Sequence, residues 1–222
     1  MEDHPSNSEH LSSSLTDLMT SLMVIFILLL LVFVQRSAGR DAAVADVLLA
    51  QLREEMKPMG FSKETIRQDP RDRNAILVVV PNRLMNFELS QSMLGSDGEK
   101  FLKGYVPGFA RTLCGSKFRD NIESVVVEGH TDSTIFVGYT KEASQNKNLK
   151  LSPDRSMEVV KSMLANLEEK SDERTCLLDK LSASGRGERD PEATPDASRR
   201  VIFRVRVKVK DADPLQREIQ VR

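Results

Sequence analysis

The sequence has no tryptophan, only two cysteines and only three histidines among its 222 residues. His4 and His10 stand near the N-terminus and His130 far along the chain, so no cluster of metal ligands is predicted. His130 is therefore expected to pack within a loop rather than to catalyse a reaction. There is also no P-loop and no GxSxG motif. We expect neither an enzyme nor a metal or organic cofactor.

An excess of charge of one sign is absent as well. The chain carries 32 lysines and arginines against 33 aspartates and glutamates, a formal net charge of −1. Proteins that bind nucleic acid non-specifically need a positive field over their surface, and a balanced chain does not supply one. No direct nucleic-acid partner is expected.

Long apolar runs are absent with one exception, which covers residues 15–34. It contains no charged residue from Leu18 to Val34, and its twenty residues match the length of a helix that crosses the ~30 Å hydrocarbon core of a bilayer. A cleaved signal peptide is the alternative. That would need a basic start and a shorter apolar core, but residues 1–14 contain no Lys or Arg. We predict an uncleaved anchor at 15–35, after a tail at 1–14.

The flanks of this run leave its orientation open. Arg36 and Arg40 follow it, whereas the preceding tail is acidic, so the positive-inside rule places the C-terminal part in the cytoplasm. Large domains cross membranes largely regardless of such charges. The nature of the downstream domain has to decide.

The remainder of the chain predicts an α+β domain. Residues 41–57 form an amphipathic helix on which Val44, Val47, Leu48 and Leu52 share the apolar face, ended by PMG at 58–60. The polar stretch from Ser62 to Asn74 is interpreted as a linker, so that 36–74 is a helix and linker. The predicted order is then βαβαββ with helices on one face of a mixed sheet: strands at 76–80, 122–127, 181–184 and 201–209, and helices at 99–113 and 153–167.

Four spaced motifs give this domain a resemblance. They are VEGHTDS at 127–133, NLKLSPDRS at 148–156, SGRGERDP at 184–191 and SRRVIFRV at 198–205. Together they resemble the GHTD, NxxLSxxR, GxGExxP and NRR pattern of OmpA-like peptidoglycan-binding domains, and VVPNRLMNFELSQSML at 79–94 is similar to that domain's opening. The resemblance covers about residues 75–210, and it predicts a domain at 75–212 that is followed by a tail at 213–222. Ser198 replaces the usual Asn, and the loop before Asn148 is longer than in the shortest members, closer to the MotB type.

The resemblance implies a peptidoglycan site at Asp132, Asn148, Arg155 and Arg199. Asp132 would accept from the ammonium of a diaminopimelate stem residue, and Arg155 would donate two hydrogen bonds to its carboxylate. Ser152-Pro153 also looks like a helix start, whose free N–H groups attract an anion. The alternative is that Asp132 and Arg155 are surface charges or a structural ion pair.

Asp17 is the one acid at the apolar run. DLMTSLM at 17–23 resembles the DxMTxxM start of the MotB membrane helix, which implies that Asp17 carries protons in a stator. A carboxylate there can exist neutral or charged, as a carrier requires. An interfacial residue or a helix N-cap is the alternative. Thr16 and Thr20 offer oxygens to sodium, although the resemblance favours H⁺ over Na⁺.

The combination of anchor and cell-wall domain resembles the MotB-like ZorB subunits of Zorya anti-phage systems. That resemblance implies a dimer of this chain within a pentamer of a MotA-like (ZorA-like) membrane subunit. It also implies a bacterial inner-membrane location, with the N-terminus cytoplasmic and the domain periplasmic. A flagellar MotB-type stator and a passive tether of the Pal or OmpA type are the alternatives. In that oxidising compartment Cys114 and Cys176 form either a disulfide or two buried thiols.

Overall fold

The structure is a computed structural model that describes residues 7–85, 87 and 91–208, without the side chains of 7–14 and 35–43. One compact unit is Asp41–Val209, and a second contains the chain up to Arg40. The predicted C-terminal tail at 213–222, the end of the last strand at Val209 and the first six residues lie outside the described part.

The first unit contains the apolar run, which lies within helix α1 (Asn7–Met56). Among the described residues, Leu15–Val34 is the one helical stretch long and apolar enough to cross a membrane, and all its side chains are exposed. Asp17 stands well inside a helix that begins at Asn7, so the interpretation of Asp17 as an N-cap is wrong. The Thr20 hydroxyl lies 2.9 Å from the carbonyl oxygens of both Thr16 and Asp17.

The last turns of α1 belong to the second unit. The four side chains that they bury are Ala45, Leu48, Leu52 and Met56. Val47, predicted on this face, is 46% exposed, because the 3-4-4 spacing of the buried residues turns it outward. The helix ends as predicted at PMG: a 3₁₀ turn at Lys57–Met59 is followed by Gly60 at φ 80°, a left-handed conformation that glycine adopts freely.

Five strands form one mixed sheet. They are β1 (Ile66–Asp69), β2 (Asp72–Pro81), β3 (Ile122–His130), β4 (Leu181–Gly187) and β5 (Arg200–Val207). Their order in the sheet is β1-β2-β5-β3-β4; β3 and β4 are parallel and the other neighbours antiparallel. The predicted α+β class with a mixed sheet is confirmed.

The predicted linker at Ser62–Asn74 is wrong, because it contains edge strand β1 and the start of β2. The two strands form a hairpin in which Ile66 pairs with Val78. Strand β1 has four residues and only Ile66 as a buried apolar side chain, so no alternating pattern marks it in the sequence. Its other buried side chain is Asp69, which forms an ion pair with Arg204 on β5.

The helices of the domain are α2 (Asn82–Met85), α3 (Ser96–Cys114), α4 (Lys141–Ala165), α5 (Asp172–Lys180) and α6 (Pro195–Ser198). The predicted start of α4 at Ser152-Pro153 is wrong. Thr140 is its N-cap and accepts a hydrogen bond from the Ala143 N–H at 3.2 Å, and Pro153 lies inside the helix. The predicted apolar stripe is also shifted: Met157 is exposed, whereas Val159 and Met163 are buried. Helix α5 was not predicted.

The core lies between the sheet and its helices. Along β5, Val201, Phe203, Val205 and Val207 are buried as predicted, and the Phe203 ring packs 5.4 Å from Tyr105 and 5.7 Å from Phe109 of α3. On the opposite face of β5, Arg204 bonds to both Asp69 and Glu128. That face is less open to solvent than its basic residues indicate.

Candidate ligand-binding groove

Two glycines allow α4 to lie very close to the sheet. A Cβ at Gly129 on β3 would stand 2.2 Å from the Ser152 carbonyl oxygen, and one at Gly185 on β4 would stand 2.2 Å from Pro153 Cδ. No larger residue fits either position without displacing the helix backbone. The Ser156 hydroxyl fastens the contact by donating to the Ser184 carbonyl at 2.6 Å.

This close approach brings α4 to the loop that leaves β3. The buried Asn148 amide donates to the Asp132 carbonyl at 3.0 Å. Asp132 Oδ1 in turn accepts from the Thr134 N–H at 2.9 Å, which fixes the carboxylate in a turn. Asn148 is therefore a positioning residue: its amide holds the backbone of Asp132.

Arg199 reaches the same carboxylate from the other side. Because β5 runs antiparallel to β3, with Arg200 opposite His130, the residue before β5 meets the loop after β3. Arg199 Nη1 donates to Asp132 Oδ2, and Nη2 donates to Asp196 Oδ1 at 3.0 Å. Two residues far apart in sequence are thus adjacent.

Arg155, eight residues after Lys147 on α4, is only 4% exposed. Its Nε donates to the Gln91 carbonyl at 2.9 Å, and its guanidinium carbon lies 4.9 Å from the centre of the Phe87 ring. Burial, reinforced by the nearby charge of Arg199 and opposed by Asp132, lowers the pKa of Arg155 to about 10. The side chain therefore stays positively charged at neutral pH, in a fixed orientation.

The electrostatics of Asp132 favour its charged form. Burial acts to raise the pKa of Asp132, but the hydrogen bonds from the Thr134 N–H and from Arg199 together outweigh it, so the pKa is lowered. An acceptor that is ionised at neutral pH is what an ammonium group requires.

These side chains border a cavity of about 360 Å³. Its lining includes Thr131, Asp132, Asn148, Arg155 and Arg199, with Thr134, Ile135, Phe136, Val137, Tyr139, Lys147 and Leu151. Within the described part of the chain, the buried Thr131 hydroxyl has no hydrogen-bond partner. A buried polar group without a partner is costly, so a ligand that bonds to it gains affinity. The lining carries charges of both signs, Asp132 beside Lys147, Arg155 and Arg199, so it offers partners to both ends of a zwitterion.

The structure places the predicted site residues as follows. Asp132, Asn148, Arg155 and Arg199 come together, whereas Asp17 lies in the other unit. The helix start at Ser152-Pro153 does not exist, so the anion site predicted from its free N–H groups is wrong: those residues are inside α4. The groups that remain to donate hydrogen bonds to a ligand carboxylate include the guanidinium groups of Arg155 and Arg199.

Three contributors were missed by the sequence reasoning. Thr131 stands inside the GHTD motif, so its neighbour Asp132 was a signal for it. Phe87 and Gln91, which hold Arg155, lie within VVPNRLMNFELSQSML at 79–94, so the similarity of that segment to the opening of OmpA-like domains was a signal for the segment, although it singled out neither residue. His130, expected to pack, is buried on the opposite sheet face, with Nδ1 at 3.2 Å from the Arg189 carbonyl oxygen.

The remaining cysteine and metal expectations concern other parts of the domain. Cys114, at the end of α3, is joined to Cys176 on α5 by a disulfide with a Cα–Cα distance of 6.0 Å. Among the residues that the structure describes, no group of three histidine, cysteine or acidic side chains is arranged to hold a metal ion.

Comparisons with known proteins give information on the fold of the domain. No protein-family model matches the chain, and no curated protein matches it. A MotB-like protein from Desulfovibrio vulgaris has a similar structure, with a TM-score of 0.55 and 19% identity over 77% of this chain and 98% of that one. The domain has the fold of that MotB-like protein.

Two further structures are more distant. The periplasmic domain of Helicobacter pylori MotB gives a TM-score of 0.48 with 18% identity, over 70% of this chain and 94% of that one. The cell wall anchor of the T6SS from Pseudomonas aeruginosa gives 0.46 with 19% identity, over 72% of this chain and 97% of that one. At these scores neither adds to the fold assignment.

Proposed function

We propose that the chain is a peptidoglycan-anchored stator subunit of a proton-driven motor in the bacterial inner membrane. The observation that carries the anchoring half is the groove, whose lining contains Asp132, Arg155 and Arg199 together with Thr131, a buried hydroxyl that has no hydrogen-bond partner among the described residues. The MotB-like fold agrees with this role.

The groove chemistry fits the free end of diaminopimelate, which carries an ammonium and a carboxylate on one carbon. Arg155 is held with its guanidinium in the cavity lining, where it donates to the carboxylate. Asp132 keeps lone pairs beyond its bonds to Arg199 and Thr134, and it accepts from the ammonium. Arg199 either donates to the same ligand carboxylate as Arg155 or keeps its hydrogen bond to Asp132. The competing interpretation is that Asp132 and Arg199 are only a structural ion pair.

Wall binding is tested by pull-down of the full chain with purified peptidoglycan. Asp132→Ala and Arg155→Ala should each weaken binding by more than about tenfold, since each removes a charge-assisted hydrogen bond from a partly desolvated site. Lys161→Ala is the matched control, because Lys161 is exposed on the same helix and pairs with Glu158 at 3.6 Å. Thermal melting verifies that each variant folds. Unchanged retention of both variants would remove the site assignment.

The membrane half of the proposal rests on the exposed apolar stretch Leu15–Val34. The span is single, the N-terminus is cytoplasmic and the domain is periplasmic, where its wall ligand and an oxidising environment for Cys114–Cys176 are both found. Arg36 and Arg40 favour the reverse orientation by the positive-inside rule. We give the ligand and the disulfide more weight, since large domains cross regardless of flanking charge.

The motor half rests on Asp17 within that stretch. An acid in a membrane helix that alternates between neutral and charged forms can load a proton on one side and release it on the other. The proposed assembly is a dimer of this chain inside a pentamer of a MotA-like subunit, as in the ZorB branch with its ZorA-like partner. A flagellar MotB-type stator is the alternative motor. Flagellar genes beside this one would favour motility, and helicase or nuclease genes would favour defence.

A passive Pal- or OmpA-type tether is the non-motor alternative. A tether needs the wall site and the span but has no use for an ionisable group in the membrane. Asp17 therefore discriminates between the two, and its substitution has the largest expected effect of those given below.

A further inference from the structure

A second cavity of about 380 Å³ adjoins the groove. The two cavities share Phe136, Lys147 and Leu151 as lining residues. Beyond them the second cavity is bordered by Gln91, Ser92, Met93, Lys150 and Asp154. A ligand longer than one amino acid can therefore extend from the first cavity into the second.

Both cavities are lined by more basic than acidic side chains. The first has Lys147, Arg155 and Arg199 against Asp132. The second has Lys147 and Lys150 against Asp154, a net charge of +1. In the part of the chain that the structure describes, neither lysine forms an ion pair with a carboxylate. The second cavity thus favours an anionic group.

Lys147, at the shared wall, lies against two aromatic rings. Its ammonium lies 3.9 Å from the centre of the Tyr139 ring and 4.9 Å from that of Phe136. These cation–π contacts orient the side chain without neutralising its charge. The loop 133–140, which supplies both rings, also borders the groove.

The spacing of cations along α4 sets the separation of the anions. Lys147 and Arg155 are eight residues apart, which is about 12 Å along the helix axis at 1.5 Å per residue. In a peptidoglycan stem, glutamate is joined to diaminopimelate through its γ-carboxyl, which leaves its α-carboxylate free. Some eleven bonds connect that carboxylate to the far one of diaminopimelate, a reach of roughly 11–14 Å for an extended chain.

We propose that Lys147 is a second anion contact of the groove and binds the free α-carboxylate of the stem residue that precedes diaminopimelate. This rests on the proposed wall-binding function and specifies its substrate: an acidic stem peptide rather than diaminopimelate alone. Lys150, three residues after Lys147 on α4, lines the second cavity and adds positive charge there.

The test is calorimetric titration of the full chain in detergent with three probes. They are γ-D-glutamyl-meso-diaminopimelate, the same dipeptide with its glutamyl α-carboxylate amidated, and free meso-diaminopimelate. Lys147→Gln should bind the acidic dipeptide about three- to tenfold more weakly, the effect of one solvent-accessible charge-assisted contact. It should bind the other two probes as the unchanged chain does. Lys147→Arg should restore most of the loss, and Lys161→Gln should have no effect.

The outcomes separate this proposal from the one on which it rests. An equal loss for the acidic and amidated dipeptides would overturn it, because Lys147 would then act by supporting Phe136 and Tyr139. No loss for any probe would overturn it too. If the unchanged chain binds none of the probes, or if Arg155→Ala does not weaken free diaminopimelate, the wall-binding function itself fails.

Discussion

Apolar side chains are exposed in one region of this molecule and buried in another. Leu22, in the stretch Leu15–Val34, is 67% exposed, whereas Leu52, further along α1 and within the domain, is fully buried. Every side chain of that stretch is exposed. The domain, by contrast, packs its leucines, valines and aromatics into one continuous core.

The difference teaches where each region obtains its stability. Burial of one leucine contributes about 1.5–3 kcal/mol to the free energy of unfolding, and the domain buries its leucines within its own fold. The side chains of the apolar stretch gain none of this stabilisation from contacts within the described structure. Their burial requires the hydrocarbon of a bilayer or partner helices. Substitutions in the apolar stretch should therefore leave wall binding by the domain unchanged. Substitutions in the domain should leave ion flow unchanged.

The sharpest separation is expected from Asp17→Asn. The amide keeps the shape but cannot ionise, so ion flow and motor-dependent function should be lost completely, while peptidoglycan pull-down is unchanged. Asp17→Glu should keep part of the ion flow, because it still ionises about one methylene away. The measurement is proton flux with the membrane partner co-expressed, next to phage protection or motility.

Asp46→Asn is the matched control, since Asp46 is exposed on the part of α1 that belongs to the domain. It should leave flux and wall binding at their original levels. Full function in Asp17→Asn would contradict the motor and leave the passive tether.

The disulfide is the next largest effect and concerns the domain alone. Replacing Cys114 and Cys176 together by alanine removes a cross-link between residues 62 apart in sequence. The expected loss is about 2–4 kcal/mol of unfolding free energy, which corresponds to roughly 5–15 °C in the melting temperature of a chain this size. Differential scanning calorimetry measures it, with proton flux unaffected at temperatures where the domain is folded.

The same bond reports on orientation. In intact cells, Cys114 and Cys176 should resist alkylation until a reductant is added, as expected for a periplasmic domain. Free thiols in freshly lysed cells would favour the cytoplasmic orientation that Arg36 and Arg40 indicate.

A smaller effect is expected where α4 meets the sheet. Gly129→Ala places a methyl group against the Ser152 carbonyl oxygen, and the strain should cost about 1–3 kcal/mol. Asn148 and Arg155 belong to α4 and would shift with it, so peptidoglycan binding should weaken as well. Gly104→Ala on α3 is the matched control: its Cβ meets nothing within 4 Å, so a slight gain in stability is expected from helix propensity. Equal melting temperatures for the two variants would refute the close-approach argument.

The smallest effect is a pH dependence at Asp132. Its pKa is lowered in the folded chain from the model-peptide value of 3.8, so its charged form stabilises the fold. That contribution is complete above about pH 4 and disappears as the pH falls through the lower folded pKa. Asp132→Asn should flatten this part of the melting temperature profile below pH 4. A profile with unchanged slope would show that the hydrogen bonds from Thr134 and Arg199 do not lower the pKa of Asp132 in the folded chain.

The sequence by itself determined the features that depend on local pattern. The uninterrupted apolar run, the alternation of Val201, Phe203 and Val205, and the glycine end of α1 are all set by neighbouring residues, and all agree with the structure. The four candidate site residues were accessible through spaced motifs, since Asp132, Asn148, Arg155 and Arg199 each stand at a recognisable place in one.

Only the tertiary structure decided the rest. Strand β1 is stabilised by pairing with β2 and by the Asp69–Arg204 ion pair, neither of which leaves a periodic trace in four residues. Helix α4 continues through Pro153, whose ring fits over Gly185, although a proline is normally a helix start or stop. The approach of α4 to Gly129 brings Asn148 to Asp132, and the antiparallel pairing of β5 with β3 brings Arg199 there. Contacts between residues so far apart along the chain arise only when packing selects them, which is why the geometry of the groove, unlike its residues, could not be inferred beforehand.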